Sequence, residues 1–82
     1  MNLIMISRGS VLIEVNGNEV YIGGEALMPP SAGNDANYVI YSKDIYYTAP
    51  NENLNIDEAL KDEIIEFIIE EFDKRNMRVD VA

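Results

Sequence analysis

The side chains of this 82-residue chain that could do chemistry are almost all carboxylates and tyrosines. Glu63, Glu66 and Glu70 recur at steps of three and four, which on a helix sets them along one face, with Asp73 following. Such a row offers oxygen ligands to a hard cation, but cation sites of that kind draw ligands from loops as well, and no EF-hand-like loop is present. A solvated face or a protein contact is the preferred reading, and no metal is expected. Paired carboxylates also hydrolyse glycosides, but only across a cleft walled by rigid elements, which a chain this short with one helix does not readily build. Histidine and cysteine are both absent. That removes the usual general base, the commonest metal ligand, every Ser–His arrangement, and any thiolate site or disulfide. Ser7 and Ser10 flank Arg8-Gly9 with no base to activate them, so a turn is the better reading. Gly23-Gly24 lacks the strand–loop–helix setting and the following lysine of a phosphate-cradling loop, and reads as a bulge or a close backbone approach. No catalytic residue and no cofactor is expected, and the chain is not read as an enzyme.

Tyrosine is the other notable feature. Tyr38, Tyr41, Tyr46 and Tyr47 crowd one short stretch, with Tyr21 elsewhere. On a strand Tyr46 and Tyr47 must point to opposite faces, so one can be core while the other is exposed. Tyrosines favour sheets for packing reasons alone. Exposed, they commonly anchor protein interfaces.

Six basic residues against fifteen acidic ones give a formal net charge of −9 and a pI near 4.1. A surface that negative repels phosphate backbones, so nucleic acid is not an expected partner. The charge serves either solubility or steering toward a basic protein, such as a nuclease or another nucleic-acid-binding protein.

The elements that would position these groups are legible from periodicity. Leu3 to Ile6 is a short apolar strand candidate, closed by a turn at Ser7-Arg8-Gly9-Ser10. Val11, Ile13 and Val15 share one face of a second strand. Asn16-Gly17 suits the positive φ angles of a type I′ turn, and Glu19 to Ile22 returns as the other arm of a hairpin. Gly23-Gly24 should end that strand, Leu27-Met28-Pro29-Pro30 should break away from the sheet, and Ser31 to Asn37 suits an exposed loop. The span 38–48 is either a second hairpin or one strand with a bulge. A helix capped by Asn55 or Asp57 then runs to Lys74 or Arg75, with Asn55 and Glu58 at capping-box spacing. Leu60, Ile64, Phe67, Ile68 and Phe72 mark its core-facing stripe, widened by Ile65 and Ile69, with Asp62, Glu63, Glu66, Glu70 and Asp73 on the opposite side. Met77 to Val81 is either a last edge strand or a frayed tail.

The apolar run Leu3 to Ile6 is too short for a signal peptide or a membrane span, so a soluble chain with no membrane partner is expected. The absence of cysteine in so small a chain fits a reducing compartment. The expected fold is α+β: residues 1–82 form a single domain in which a small antiparallel sheet of four to six strands is packed by one long C-terminal helix.

Several motifs resemble a known family. Ile6-Ser7-Arg8-Gly9-Ser10-Val11 with Ile13-Glu14, then Val20-Tyr21-Ile22-Gly23-Gly24-Glu25, resemble the opening of immunity protein family 74 of bacterial polymorphic toxin systems. Asp44-Ile45-Tyr46-Tyr47-Thr48-Ala49-Pro50 stands where that family carries a tryptophan-containing stretch, with Thr48 in place of the aromatic, and a helix opening at Ile56-Asp57-Glu58 follows. The resemblance implies a cytoplasmic protein, encoded beside a toxin delivered by contact-dependent inhibition or a related route, that neutralises the toxin by tight binding. Such toxins are often nucleases with basic active-site clefts, which an acidic inhibitor would suit. On that reading Glu63, Glu66, Glu70 and Asp73 are candidates for electrostatic contacts, and Tyr46 and Tyr47 for anchors. The alternative is a self-associating module, a homodimer built on the wide apolar side of the helix.

Overall fold

The computed structural model describes residues 1–27 and 36–82. Short runs rich in apolar, β-branched and aromatic residues produce four successive strands: β1 (Asn2–Ile6), β2 (Ser10–Val15), β3 (Asn18–Ala26) and β4 (Tyr38–Tyr47). The helix α1 (Glu58–Asp73) and a short strand β5 (Val79–Val81) follow. Asn16 and Gly17 take φ values of 52° and 84°, the left-handed pair that turns β2 into β3 with Val15 opposite Asn18.

The sheet order is β1-β2-β3-β4-β5. The first four strands form an antiparallel meander, whereas β5 pairs parallel to β4, Tyr38 with Val79 and Ile40 with Val81. That last pairing departs from the all-antiparallel expectation. Parallel neighbours need a long crossover, and α1 supplies it by carrying the chain back to the end of the sheet where β4 begins. Met77 to Val81 thus ends in an edge strand and not a frayed tail.

The span 38–48 is one bulged strand. Partners jump from Ile22–Ile45 to Gly24–Ile40, so Gly23 alone faces the stretch from Tyr41 to Asp44. Both glycines permit this. A Cβ on Gly23 would collide with the Asp44 carboxylate, and one on Gly24 would lie 2.5 Å from the Val39 carbonyl oxygen and from the Tyr38 ring. Gly23-Gly24 therefore lies within β3, at a bulge with close backbone approach, and does not end the strand.

Asp57, not Asn55, caps α1: its carboxylate accepts a 2.8 Å hydrogen bond from the Leu60 N–H. At the other end Asn76 takes a left-handed φ of 55°, and the N–H groups of Asn76 and Met77 donate to the carbonyls of Asp73 and Phe72. That reversal aims Met77 and Val79 back at the core.

The core lies between one face of the sheet and α1. Val11, Ile13, Val15, Val20, Ile22, Tyr38, Ile40, Ile45 and Tyr47 meet Ile64, Ile68 and Phe72 there. Leu60, Ile65 and Phe67 pack at its margin. Ile69, expected to widen the helix stripe, is exposed, because it falls past the edge of the arc that the sheet covers. Leu27 lies just beyond β3 and donates its N–H to Asn37. Of the stretch expected as an exposed loop, Ala36 is fully buried and Asn37 half-buried, the latter accepting from the Leu27 N–H and donating its own N–H to the Arg78 carbonyl. The expectations for Met28 to Asp35 lie outside the described residues.

Candidate functional site

Two surfaces carry the residues that could act, and the helix–sheet sandwich sets them on opposite sides. The first is the outer side of α1. Burying Ile64, Ile68 and Phe72 against the sheet turns Glu63, Glu66, Glu70 and Asp73 to solvent, where all are exposed. The cations of the helix are engaged elsewhere: Lys61 pairs with Glu58 at 3.5 Å, while Lys74 and Arg75 meet Glu71 at 2.8 and 3.4 Å. The hydrogen bond from Lys74 and then the Lys74 and Arg75 charges hold the Glu71 carboxyl below its ordinary range, against the opposing pull of desolvation. Among the described residues none of Glu63, Glu66, Glu70 and Asp73 has an ion-pair partner, so the middle of this side is uniformly negative. No group of three or more acidic side chains among the described residues is arranged to hold a metal ion.

The second surface is the face of the sheet that α1 leaves open. Register places Met5 opposite Leu12, Leu12 opposite Tyr21, and Tyr21 opposite Tyr46. Because neighbours in register share a face, these four form one row across four strands, with Met5 50% and Tyr46 45% exposed. The Tyr21 and Tyr46 rings stack with centroids 4.9 Å apart and planes 27° from parallel. Partial burial, then the Tyr21 ring and the Asp44 charge, push the Tyr46 phenol above its ordinary pKa.

Carboxylates border this row. Glu14 and Glu19 lie directly opposite each other on one side, an arrangement that costs stability between like charges. Each is held by other groups. Glu14 accepts from the Gly17 N–H and, at 2.7 Å, from Asn2 Nδ2, which lowers its carboxyl pKa. Glu19 accepts from Thr48 Oγ1 at 3.1 Å. On the other side Glu25 accepts from the Tyr41 hydroxyl at 3.2 Å, and Asp44 folds over Gly23.

The structure thus brings Glu63, Glu66, Glu70 and Asp73 together but separates them from Tyr46 by the thickness of sheet and helix. Tyr47 points the other way from Tyr46, into the core, and retains 9% exposure. Met5, Leu12, Tyr21, Glu14 and Glu19 were not singled out as contact residues from the sequence. The Asn16-Gly17 turn fixes Leu12 opposite Tyr21, so that part of the row was available from the hairpin register; Tyr46 joins only through the bulge in β4.

No helix is long and apolar enough to cross a membrane among the described residues. Compared with known proteins, the model of the family described as Immunity protein 74 matches residues 3–82. No curated protein and no solved structure matches the chain.

Proposed function

Because the chain belongs to the Immunity protein 74 family, a family of toxin-neutralising and not catalytic proteins, we propose that it binds and neutralises a basic cognate toxin in the cytoplasm, a nuclease being the class its charge fits best. The observation that carries the basic partner is the outer side of α1, where Glu63, Glu66, Glu70 and Asp73 stand exposed and unpaired among the described residues. Together with a net charge of −9, they create a field that steers a basic protein into encounter and raises its association rate. Inhibition is stoichiometric: the bound chain occludes the active site or an essential surface of the toxin, with no turnover. Self-association through the apolar side of the helix has little to recommend it, since Ile64, Ile68 and Phe72 are fully buried within the chain.

The test is capture by the tagged chain from its native strain, washed at low and then high salt. Recovery of one basic protein in equimolar amount, released progressively by salt, is the expected result. Neutralising the helix side with Glu63→Gln, Glu66→Gln, Glu70→Gln and Asp73→Asn together should slow association about tenfold and flatten its salt dependence. Return of the chain alone at every salt concentration would sink the proposal.

A further inference from the structure

We infer that the open face of the sheet, along the row Met5–Leu12–Tyr21–Tyr46, is the surface that anchors the partner, and that it takes a basic protein surface presenting arginine side chains. The inference rests on the toxin-binding reading and names the face and the chemistry within it.

The row has the anatomy of an interface. Its centre is apolar and aromatic, contiguous across four paired strands, and its border is acidic. Stable interfaces show this arrangement, a desolvated centre inside a polar rim, with tyrosine enriched and glutamate and aspartate depleted at the centre. The stacked Tyr21 and Tyr46 rings are already fixed by each other, so little side-chain freedom is lost when a partner lands on them. The outer side of α1 is the reverse case. It has carboxylates at its centre and one exposed apolar residue, Ile69, at its edge. It can attract, but it offers almost nothing to desolvate.

Charge selects the occupant. A second copy laid on this face would set Glu14, Glu19, Glu25 and Asp44 against the same residues of its twin, with Arg8 beside Glu25 and the N-terminal ammonium near Glu14 as partial offsets. A basic surface meets no such opposition. Arginine fits better than lysine because a guanidinium stacks on an aromatic face and still forks two hydrogen bonds to a carboxylate, here Tyr46 with Asp44, or Tyr21 with Glu19. The direct opposition of Glu14 and Glu19 then acquires a use, as a pair of acceptors beside an aromatic platform.

The test maps binding residue by residue. The ¹⁵N-labelled chain is titrated with an octapeptide alternating arginine and leucine, then with its lysine counterpart. Amide shifts centred on Leu12, Tyr21 and Tyr46, about fivefold tighter binding of the arginine peptide, and about tenfold weakening by Tyr46→Ala are expected. The helix-neutralised variant should give the same map. Shifts centred on residues 62–73, no shift on the row, or equal affinity for both peptides overturn the inference. So do shifts on the row that grow with protein concentration in the absence of peptide, which would identify a second copy as the occupant. With the captured partner, Tyr46→Ala and Leu12→Lys should each speed dissociation by about tenfold or more. If the partner is captured and both variants release it at the wild-type rate, the open-face inference falls while the toxin-binding proposal stands. Failure to capture any partner removes the proposal itself.

Discussion

The covered and open faces of the sheet are made from the same strands, and they differ in what each side chain is required to do. On the covered face Val11, Ile13, Val20, Ile22 and Ile40 have no accessible surface, and all belong to one buried cluster with Ile64, Ile68 and Phe72 of α1. On the open face Leu12 and Tyr21 alternate with Glu14 and Glu19 and remain partly in water. Tyr46 and Tyr47 are adjacent in the chain and divide between the two: Tyr47 joins the core and Tyr46 stacks on Tyr21 in the open. Residue type alone does not separate fold-bearing from contact-bearing positions here. Parity along the strand does, because successive side chains alternate between faces.

If the covered face carries stability, its loss should be large wherever the helix meets the sheet. Phe72 is fully buried against Tyr38, with ring centroids 5.3 Å apart. Phe72→Ala should cost about 3–5 kcal/mol in denaturant unfolding, enough to unfold much of so small a domain. A loss below about 1 kcal/mol would mean that α1 contributes little to the sheet and would dissolve the comparison. The bulge offers a finer test, because its two glycines meet different neighbours. A methyl on Gly24 runs into the Val39 carbonyl oxygen, which is fixed in the β3–β4 pairing, so Gly24→Ala should cost about 1–3 kcal/mol. The nearest atoms to a methyl on Gly23 are those of the Asp44 side chain, which can rotate away, so Gly23→Ala should cost less than about 1 kcal/mol.

The open face should respond in the opposite sense. Tyr46→Ala removes one aromatic stack and little burial, so about 1 kcal/mol of stability should go, while partner dissociation quickens by a much larger factor. Parallel unfolding and dissociation measurements on this variant separate the two roles. A stability loss comparable to that of Phe72→Ala would place Tyr46 among the fold-bearing residues and remove the contrast.

Much of this division is legible in the sequence. The alternation Val11, Ile13, Val15, the Asn16-Gly17 turn and the 3.6-residue stripe through Ile64, Ile68 and Phe72 each report a local rule, and each element formed where its rule placed it. What escaped depends on partners distant in the chain. The parallel pairing of β5 needs α1 as a crossover and the left-handed Asn76 that ends it; the pattern Met77, Val79, Val81 allows either a strand or a frayed tail and gives no direction. The position of Tyr46 over Tyr21 requires the bulge opposite Gly23, and a shift of one residue there would have exchanged the faces of Tyr46 and Tyr47. The acidic row on α1 was visible because it is local. That it lies on the far side from Tyr46 is a property of the sandwich, so the two groups of candidate contact residues could not be recognised as two surfaces.

A further effect appears only in alkali, and it too separates the faces. Tyr38 lies on the covered face with its hydroxyl donating to the Ser7 carbonyl at 2.9 Å, and burial pushes its pKa up to about 12. In the unfolded chain the same phenol ionises near about 10. Below that value both states hold the proton and the Tyr38 contribution to stability is complete. As the pH climbs from about 10 toward about 12, the unfolded state releases its proton first, so unfolding is favoured and stability falls with rising pH. Urea unfolding at stepped alkaline pH should show that decline, and Tyr38→Phe, which has no proton to lose, should lessen the slope. Tyr46 gives the complementary reading, since its phenol is also raised but stands in the open beside Asp44. Site-resolved titration of the tyrosine ring carbons should therefore bring Tyr46 to its midpoint before Tyr38, and Asp44→Asn should shift Tyr46 downward while leaving Tyr38 in place. If Tyr38 titrates first, its hydroxyl is reached by water in the folded state, and the covered face is less closed around Ser7 than the packing of Tyr38 on Phe72 requires.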